Sequence, residues 1–185
     1  MDTNNFIRFL NELEDSSNTA LIESIDRAFS LLFEARVLPT VTEAKPDEKL
    51  KQHYFRIKQN EPNKKLFKVA TRDSNNKPIA TLVQFRKLKP EQADGYGDNV
   101  WLWNFVKDGQ SDFNVTNEGS LDAFNTVFAI TKYFIDTYHP SYITHKSTDA
   151  DSSKASQKAR LYAGYLKNLG GTQIQDPQGK EVFKF

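Results

Sequence analysis

The chain contains no cysteine among its 185 residues. This absence excludes disulfide bonds, thiolate metal sites and a cysteine nucleophile, and it is compatible with an intracellular protein. The three histidines (His53, His139 and His145) lie far apart in the sequence and do not form the spacing of a zinc-protease motif. The sequence therefore predicts no metal site.

Long apolar runs and an excess of one charge are also missing. No run approaches the ~18 residues that a membrane helix requires, and Met1–Asn5 does not resemble the start of a secretory signal. The 25 Lys and Arg residues nearly balance the 24 Asp and Glu residues, which gives a net charge of +1. Such a weak field does not favour a general nucleic-acid binder. The acidic residues are concentrated in residues 1–50, which contain ten acidic and only five basic residues.

Aromatic residues are abundant, with 14 Phe, 7 Tyr and 2 Trp available for a hydrophobic core. Near the N-terminus, apolar residues recur at helical spacing in residues 4–14 and 19–36, and Pro39 ends the second pattern. We expect two helices over residues 1–36 that pack on a sheet or on another subunit. The predicted organisation is a helical extension at 1–38, a linker at 39–52 and one domain at 53–185.

After residue 53 the apolar period changes from about 3.6 to 2, which indicates strands. Short polar turns separate the first three strands, so an antiparallel meander is expected. Two helices, one further strand and a final hairpin complete the order, which predicts an α+β fold with a mixed, mainly antiparallel sheet flanked by helices. The predicted elements are strands at 54–58, 66–71, 79–85, 100–106 and 141–145, helices at 120–137 and 154–169, and a hairpin of 172–174 with 182–185.

Residues 53–185 resemble the GNAT (N-acetyltransferase) fold. Three pieces carry the resemblance: the strand at 101–106 that leads through 113–119 into a helix, the strand at 141–145, and the helix that contains Ala159-Arg160-Leu161-Tyr162. The layout "strand, F-x-V-T-x-x-G, helix with T-V, strand, A-x-L-Y helix" is more closely similar to that of small bacteriophage proteins with a GNAT-like domain. Those proteins usually have no assigned activity.

The resemblance implies a coenzyme A site at the start of the first helix, because GNAT enzymes bind the pyrophosphate there with a Q/R-x-x-G-x-G/A loop. It would place cofactor contacts at Asn117, Gly119 and Ser120 if the chain were an enzyme. The segment 114–121 has one glycine and no Gln or Arg, and it contains Glu118. A carboxylate there repels a pyrophosphate and stabilises a helix N-terminus. We therefore expect no cofactor, with acetyl-coenzyme A as the cofactor of the alternative.

Three residues are candidate catalytic groups under the enzyme hypothesis. Tyr162 matches the tyrosine that protonates the departing thiolate in the family, and Tyr165 is one turn further along. Glu118 could act as a base through water. Both tyrosines lie on the apolar stripe of their helix, which is typical of core residues. His145, at a strand end, could serve as a base toward an amine.

Four aromatic residues are candidate interaction residues. Trp101 and Trp103 alternate with Leu102 on one strand, so core packing explains one face, and a sheet open on the other side would leave an apolar patch for a protein partner. Phe29 and Phe33 belong to the apolar face of the second N-terminal pattern. Basic residues that alternate with aromatics along the strands indicate a solvated face rather than a nucleic-acid site.

Two functional hypotheses remain. In the first, the chain is a GNAT-like phage accessory or virion-associated protein without catalysis, which contacts a virion or host protein and is found in the host cytoplasm or the virion. In the second, it is a coenzyme A-dependent N-acyltransferase with a divergent pyrophosphate loop. The missing glycine-rich loop favours the first, and homo-oligomerisation remains open under both.

Overall fold

A computed structural model of the chain describes residues 38–72, 78–93, 95–107, 121–145, 159, 162–175 and 180–185. The helices predicted over residues 1–36 lie outside this part of the chain. So does the segment 114–120, which holds most of the expected pyrophosphate loop.

The described strands form one eight-stranded sheet with the order β1-β2-β3-β4-β5-β6-β8-β7. The predicted meander is confirmed, because β2 to β5 pair in sequence and all three pairs are antiparallel. Only β1–β2 and β5–β6 are parallel, which confirms a mainly antiparallel sheet in an α+β fold. The strands are β1 (Thr42–Glu43), β2 (Tyr54–Glu61), β3 (Lys64–Arg72), β4 (Pro78–Lys87), β5 (Val100–Lys107), β6 (Tyr142–His145), β7 (Thr172–Gln175) and β8 (Glu181–Lys184).

Two α-helices lie in the described residues. Helix α1 (Leu121–Tyr138) connects β5 to the parallel strand β6, because parallel neighbours require a crossover connection. Helix α2 covers 162–168 within the longer predicted helix. A short 3-10 helix (Pro90–Gln92) lies between β4 and β5. Neither described helix has the length and hydropathy needed to cross a membrane.

The predicted glycine stop after α2 is present. Gly170 has a φ of +95°, a left-handed conformation that glycine adopts without steric cost. Its N–H donates to the carbonyl of Lys167 (2.9 Å), and the N–H of Gly171 donates to the carbonyl of Leu166 (2.9 Å). These two bonds form a Schellman motif, which turns the chain from α2 into β7.

Two glycines of this region should respond oppositely to alanine. A Cβ at Gly171 would lie 2.8 Å from the carbonyl oxygen of Leu166 and 2.7 Å from the ring of Phe185, whereas a Cβ at Gly164 meets nothing within 4 Å. We expect Gly171→Ala to lower the free energy of unfolding by about 1–3 kcal/mol. Gly164→Ala, inside α2, should raise it by about 0.5–1 kcal/mol. Urea denaturation measures both, and equal effects would contradict the prediction.

The segment predicted as a linker contributes a strand to the sheet. Strand β1 pairs with the start of β2, and Ala44 donates its N–H to the carbonyl of Phe55 (2.8 Å). The Arg56 side chain then donates from Nη2 to the carbonyls of Lys45 (3.3 Å) and Glu48 (2.6 Å). A two-residue strand is too short to show a period in the sequence, so only backbone pairing reveals it.

One face of the sheet packs against both helices, and we call it the inner face. The stacked rings of Phe85 and Phe134, with centroids 3.7 Å apart, join β4 to α1, while Leu166 of α2 is fully buried in the same core. Residues between the buried ones point to the opposite side, the outer face, because side chains alternate along a strand. The inner face is formed by Phe55, Phe67, Val69, Val83, Phe85, Trp101, Trp103, Phe105, Ile143 and Phe183.

Candidate functional site

A group of polar side chains lies at the end of β6, beneath α2. His145 is the last residue of β6 and stands opposite Trp103 in the parallel register, so both side chains project from the inner face. Tyr162 of α2 lies over them, and Glu181 begins β8. We call these four residues the His145 cluster.

The centre of the cluster is a histidine–carboxylate pair. His145 Nε2 lies 2.7 Å from Glu181 Oε2, and the His145 side chain is only 3 % exposed, compared with 30 % for Glu181. The pairing of Thr144 with Val182 brings the next residues of β6 and β8 together. The hydrogen bond from His145 lowers the pKa of Glu181 below its usual value; partial burial opposes this shift, and the charges of His145 and Lys167 add to it.

Tyr162 is held by aromatic rings on several sides. Its ring centroid lies 5.4 Å from that of Trp103, 5.5 Å from that of Phe105 and 5.3 Å from that of His145. Burial raises the pKa of the Tyr162 hydroxyl well above its usual value. The phenol therefore remains protonated at neutral pH and is a weaker acid than an exposed tyrosine.

Tyr165, the other tyrosine considered from the sequence, is a core residue. It is 3 % exposed, and its ring stacks on that of Phe128 with centroids 3.2 Å apart and planes at 7°. This packing matches the position of Tyr165 on the apolar stripe of its helix.

The two tryptophans do not form a surface patch. Trp101 and Trp103 are 4 % and 1 % exposed, because α1 and α2 cover the face from which they project. Trp101 Nε1 donates to Asn99 Oδ1 (2.9 Å). The expectation that these indoles offer an apolar surface to a partner is therefore corrected: their side chains belong to the interior of this chain.

The structure brings together Tyr162, His145 and Trp103, which were singled out for separate reasons. Glu181 is the member that sequence reasoning missed. The sequence does indicate the side on which Glu181 lies. Glu181 is two residues before the apolar Phe183 on the last strand, and residues two apart on a strand project from the same face, here the inner face. The remaining candidates lie outside the described residues: Phe29, Phe33, Asn117, Glu118, Gly119 and Ser120.

The cluster has the parts of a proton-transfer site. A carboxylate 2.7 Å from one imidazole nitrogen can fix the orientation of the ring. Within the described residues, His145 Nδ1 and Trp103 Nε1 are buried and have no hydrogen-bond partner. The described residues contain no group of three His, Cys, Asp or Glu side chains that could hold a metal ion.

None of the family models, curated proteins or solved structures compared with the chain matches it.

Proposed function

We propose that the chain is a GNAT-like domain that acts through protein–protein contacts and does not transfer acyl groups. The observation that carries this proposal is the enclosure of Tyr162. A general acid works best when its pKa lies near the working pH, and burial moves the pKa of Tyr162 away from that range. Tyr165 is packed into the core and offers no replacement.

The arrangement of the sheet is consistent with this proposal. An antiparallel meander leads to β5, helix α1 crosses to the parallel strand β6, and a hairpin of β7 and β8 closes the sheet. The resemblance implies this order for a GNAT domain. In this proposal the chain is a phage accessory or virion-associated protein, and it binds a virion protein or a host protein.

A second candidate is coenzyme A-dependent N-acylation, and the His145–Glu181 pair favours it. In that reaction His145 would take a proton from the attacking amine, while Glu181 holds the imidazole. The amine would form a bond to the thioester carbon, the carbon–sulfur bond would break, and Tyr162 would donate its proton to the departing thiolate. Asn117, Gly119 and Ser120 would contact the cofactor according to the resemblance.

Binding of acetyl-coenzyme A separates the two candidates. We expect calorimetry to show no binding below ~1 mM, because Glu118 in the expected pyrophosphate loop would oppose the anion by about 1–4 kcal/mol. A ligand present at 100 times its Kd would stabilise the fold by about 2.7 kcal/mol, so an unchanged Tm with acetyl-coenzyme A is a second expected result. Glu118→Gly should partly restore binding.

The outcome that contradicts the first candidate is specific. Micromolar binding by the natural sequence, together with amine acetylation that Tyr162→Phe and His145→Gln each abolish, would establish the acyltransferase. A complex with a purified virion or host protein that survives Tyr162→Phe would support the binding function. This conservative variant removes only the hydroxyl and is the matched control.

A further inference from the structure

We propose that the outer face of the sheet binds an acidic amphipathic helix of a partner protein through four cations on β2, β3 and β4. These cations are Arg56, Lys64, Lys68 and Arg86, and we call them the basic patch. The inference rests on the proposed function, which it deepens by naming the surface of this chain and the chemistry of its partner.

The basic patch consists of two pairs of like charges on neighbouring strands. Arg56 of β2 stands directly opposite Lys68 of β3, and Lys64 of β3 stands directly opposite Arg86 of β4. Each of the four is adjacent in sequence to a buried residue of the inner face, so all four project from the outer face. Like charges that stand opposite each other destabilise a sheet. A face that served only for solubility would avoid this cost by mixing charges of both signs.

The charges of the basic patch are not neutralised within the described part of the chain. Lys64, Lys68 and Arg86 make no ion pair there, since the ion pairs of those residues lie elsewhere. Glu61 stands opposite Lys64, but their side chains do not come within ion-pairing distance. Arg86 is exposed and both lysines are partly exposed. Three cations are therefore available to an external anion, while the carbonyls that hold Arg56 fix its charge beside Lys68.

The position of the basic patch within the sheet separates it from the usual use of surface lysines. Lysine on an edge strand prevents unwanted pairing with another sheet. Strands β3 and β4, however, are third and fourth in an order of eight and are paired on both sides. Helices α1 and α2 pack on the inner face, so neither of them covers the patch. Edge protection therefore does not account for these cations.

The spacing along β3 matches a helix whose acidic residues lie two turns apart. Lys64, Leu66 and Lys68 project from the outer face at every second residue of β3, so the Cα atoms of the two lysines are about 14 Å apart. On a helix, residues i, i+4 and i+7 share one face and span about 10.5 Å. The long, flexible lysine side chains can cover the remaining distance. A helix with the pattern Glu-x3-Leu-x2-Glu would thus place a carboxylate at each pair of cations and a leucine on Leu66.

The surroundings of the basic patch favour an acidic protein segment over nucleic acid. Proteins that bind single strands stack the bases on aromatic side chains, but Phe67 and Phe85, the aromatic residues of β3 and β4, are fully buried on the inner face. A duplex binder needs a strongly basic field, whereas this chain has a net charge of +1. Leu66 and Leu82 are partly exposed beside the cations, and they suit the apolar side of an amphipathic helix.

A synthetic peptide tests the proposal with the full chain. The probe is a fluorescein-labelled, alanine- and glutamine-rich helix of about 20 residues that carries one Glu-x3-Leu-x2-Glu pattern, and its anisotropy is followed as the protein is added. We expect saturable binding that weakens with added salt. Lys64→Glu combined with Lys68→Glu should raise the Kd at least about tenfold. The matched control combines Lys89→Glu with Lys132→Glu, which makes the same change of net charge at exposed positions off the patch and should change the Kd less than about twofold.

Reversing the charges of the probe separates recognition from folding. A peptide with the pattern Lys-x3-Leu-x2-Lys should bind the Lys64→Glu, Lys68→Glu variant and not the natural chain. Lys68→Glu alone should raise the urea midpoint, because it places opposite charges on the two strands at Arg56. Loss of acidic-peptide binding in a variant that is at least as stable as the natural chain therefore supports a binding role for Lys68.

Four results would overturn the proposal. They are no saturable binding of the acidic peptide up to about 1 mM, equal Kd values for the natural and charge-reversed chains, tighter binding of a single-stranded oligonucleotide that charge reversal abolishes, and a dimer of the natural chain that charge reversal dissociates. The last two would assign the basic patch to nucleic acid and to a second copy of the chain. Acyl transfer from acetyl-coenzyme A by the same protein would contradict the proposed function whichever peptide binds, so the two failures are distinguishable.

Discussion

Trp103→Ala is expected to lower the free energy of unfolding by about 3–5 kcal/mol, the range measured when large aromatic residues are removed from protein cores. Trp103 is 1 % exposed, and its ring contacts those of Phe105, Phe128 and Tyr162. Alanine would leave a cavity where β5, α1 and α2 meet. Urea denaturation of the full chain measures the loss, which is a large share of the stability of a typical domain.

The neighbouring residue on the same strand is the control. Asn104 projects from the outer face and is exposed, so Asn104→Ala should change the free energy of unfolding by no more than about 0.5 kcal/mol. Trp103→Phe, which keeps an aromatic ring, should lie between the two. A loss below about 1 kcal/mol for Trp103→Ala would contradict a core position for this indole.

Glu181→Gln is expected to lower the free energy of unfolding by about 1–2 kcal/mol at pH 7, since the partly exposed Glu181 carboxylate lies 2.7 Å from His145 Nε2. The loss should depend on pH. The folded-state pKa of Glu181 is lowered, so its contribution is fully present above the unfolded-state pKa of about 4.3. It disappears as the pH falls through the folded-state pKa. Denaturation curves between pH 7 and pH 3 measure the difference between the two proteins.

A double-mutant cycle isolates the pair itself. Combining Glu181→Gln with His145→Gln should give a coupling energy of about 1 kcal/mol or more at pH 7. That coupling should vanish once Glu181 is protonated. An additive double variant at pH 7, or a coupling that is constant down to pH 3, would show that the close contact between these side chains does not stabilise the fold.

Much of the fold could be predicted from the sequence because its signals are local. Alternating apolar residues such as Phe67, Val69, Val83 and Phe85 predicted β3 and β4, and the helical pattern from 120 to 137 predicted α1 to within one residue at each end. The glycine stop at Gly170 was equally local. Strand β1 was missed because two residues carry no periodicity, and its formation depends on the edge that β2 presents.

The candidate site could be predicted only in part. The position of Tyr162 on its helix and of His145 at a strand end could be read from the sequence, but their contact could not. Glu181 is distant from His145 in the sequence, and they meet because β8 pairs with β6. The alternation of Glu181 with Phe183 indicates the face of the sheet on which Glu181 lies, but not that His145 is its neighbour there.

By itself, the sequence determined the element types, the meander, the α+β class and the absence of thiol chemistry, since each depends on neighbouring residues or on composition. Only the tertiary structure decided which side of β5 the helices cover, and hence that Trp101 and Trp103 are interior residues. It also decided that His145, Glu181 and Tyr162 form one cluster. The physical reason is that strand order and helix placement arise from pairing and packing between distant segments, which alternation along a single strand does not specify.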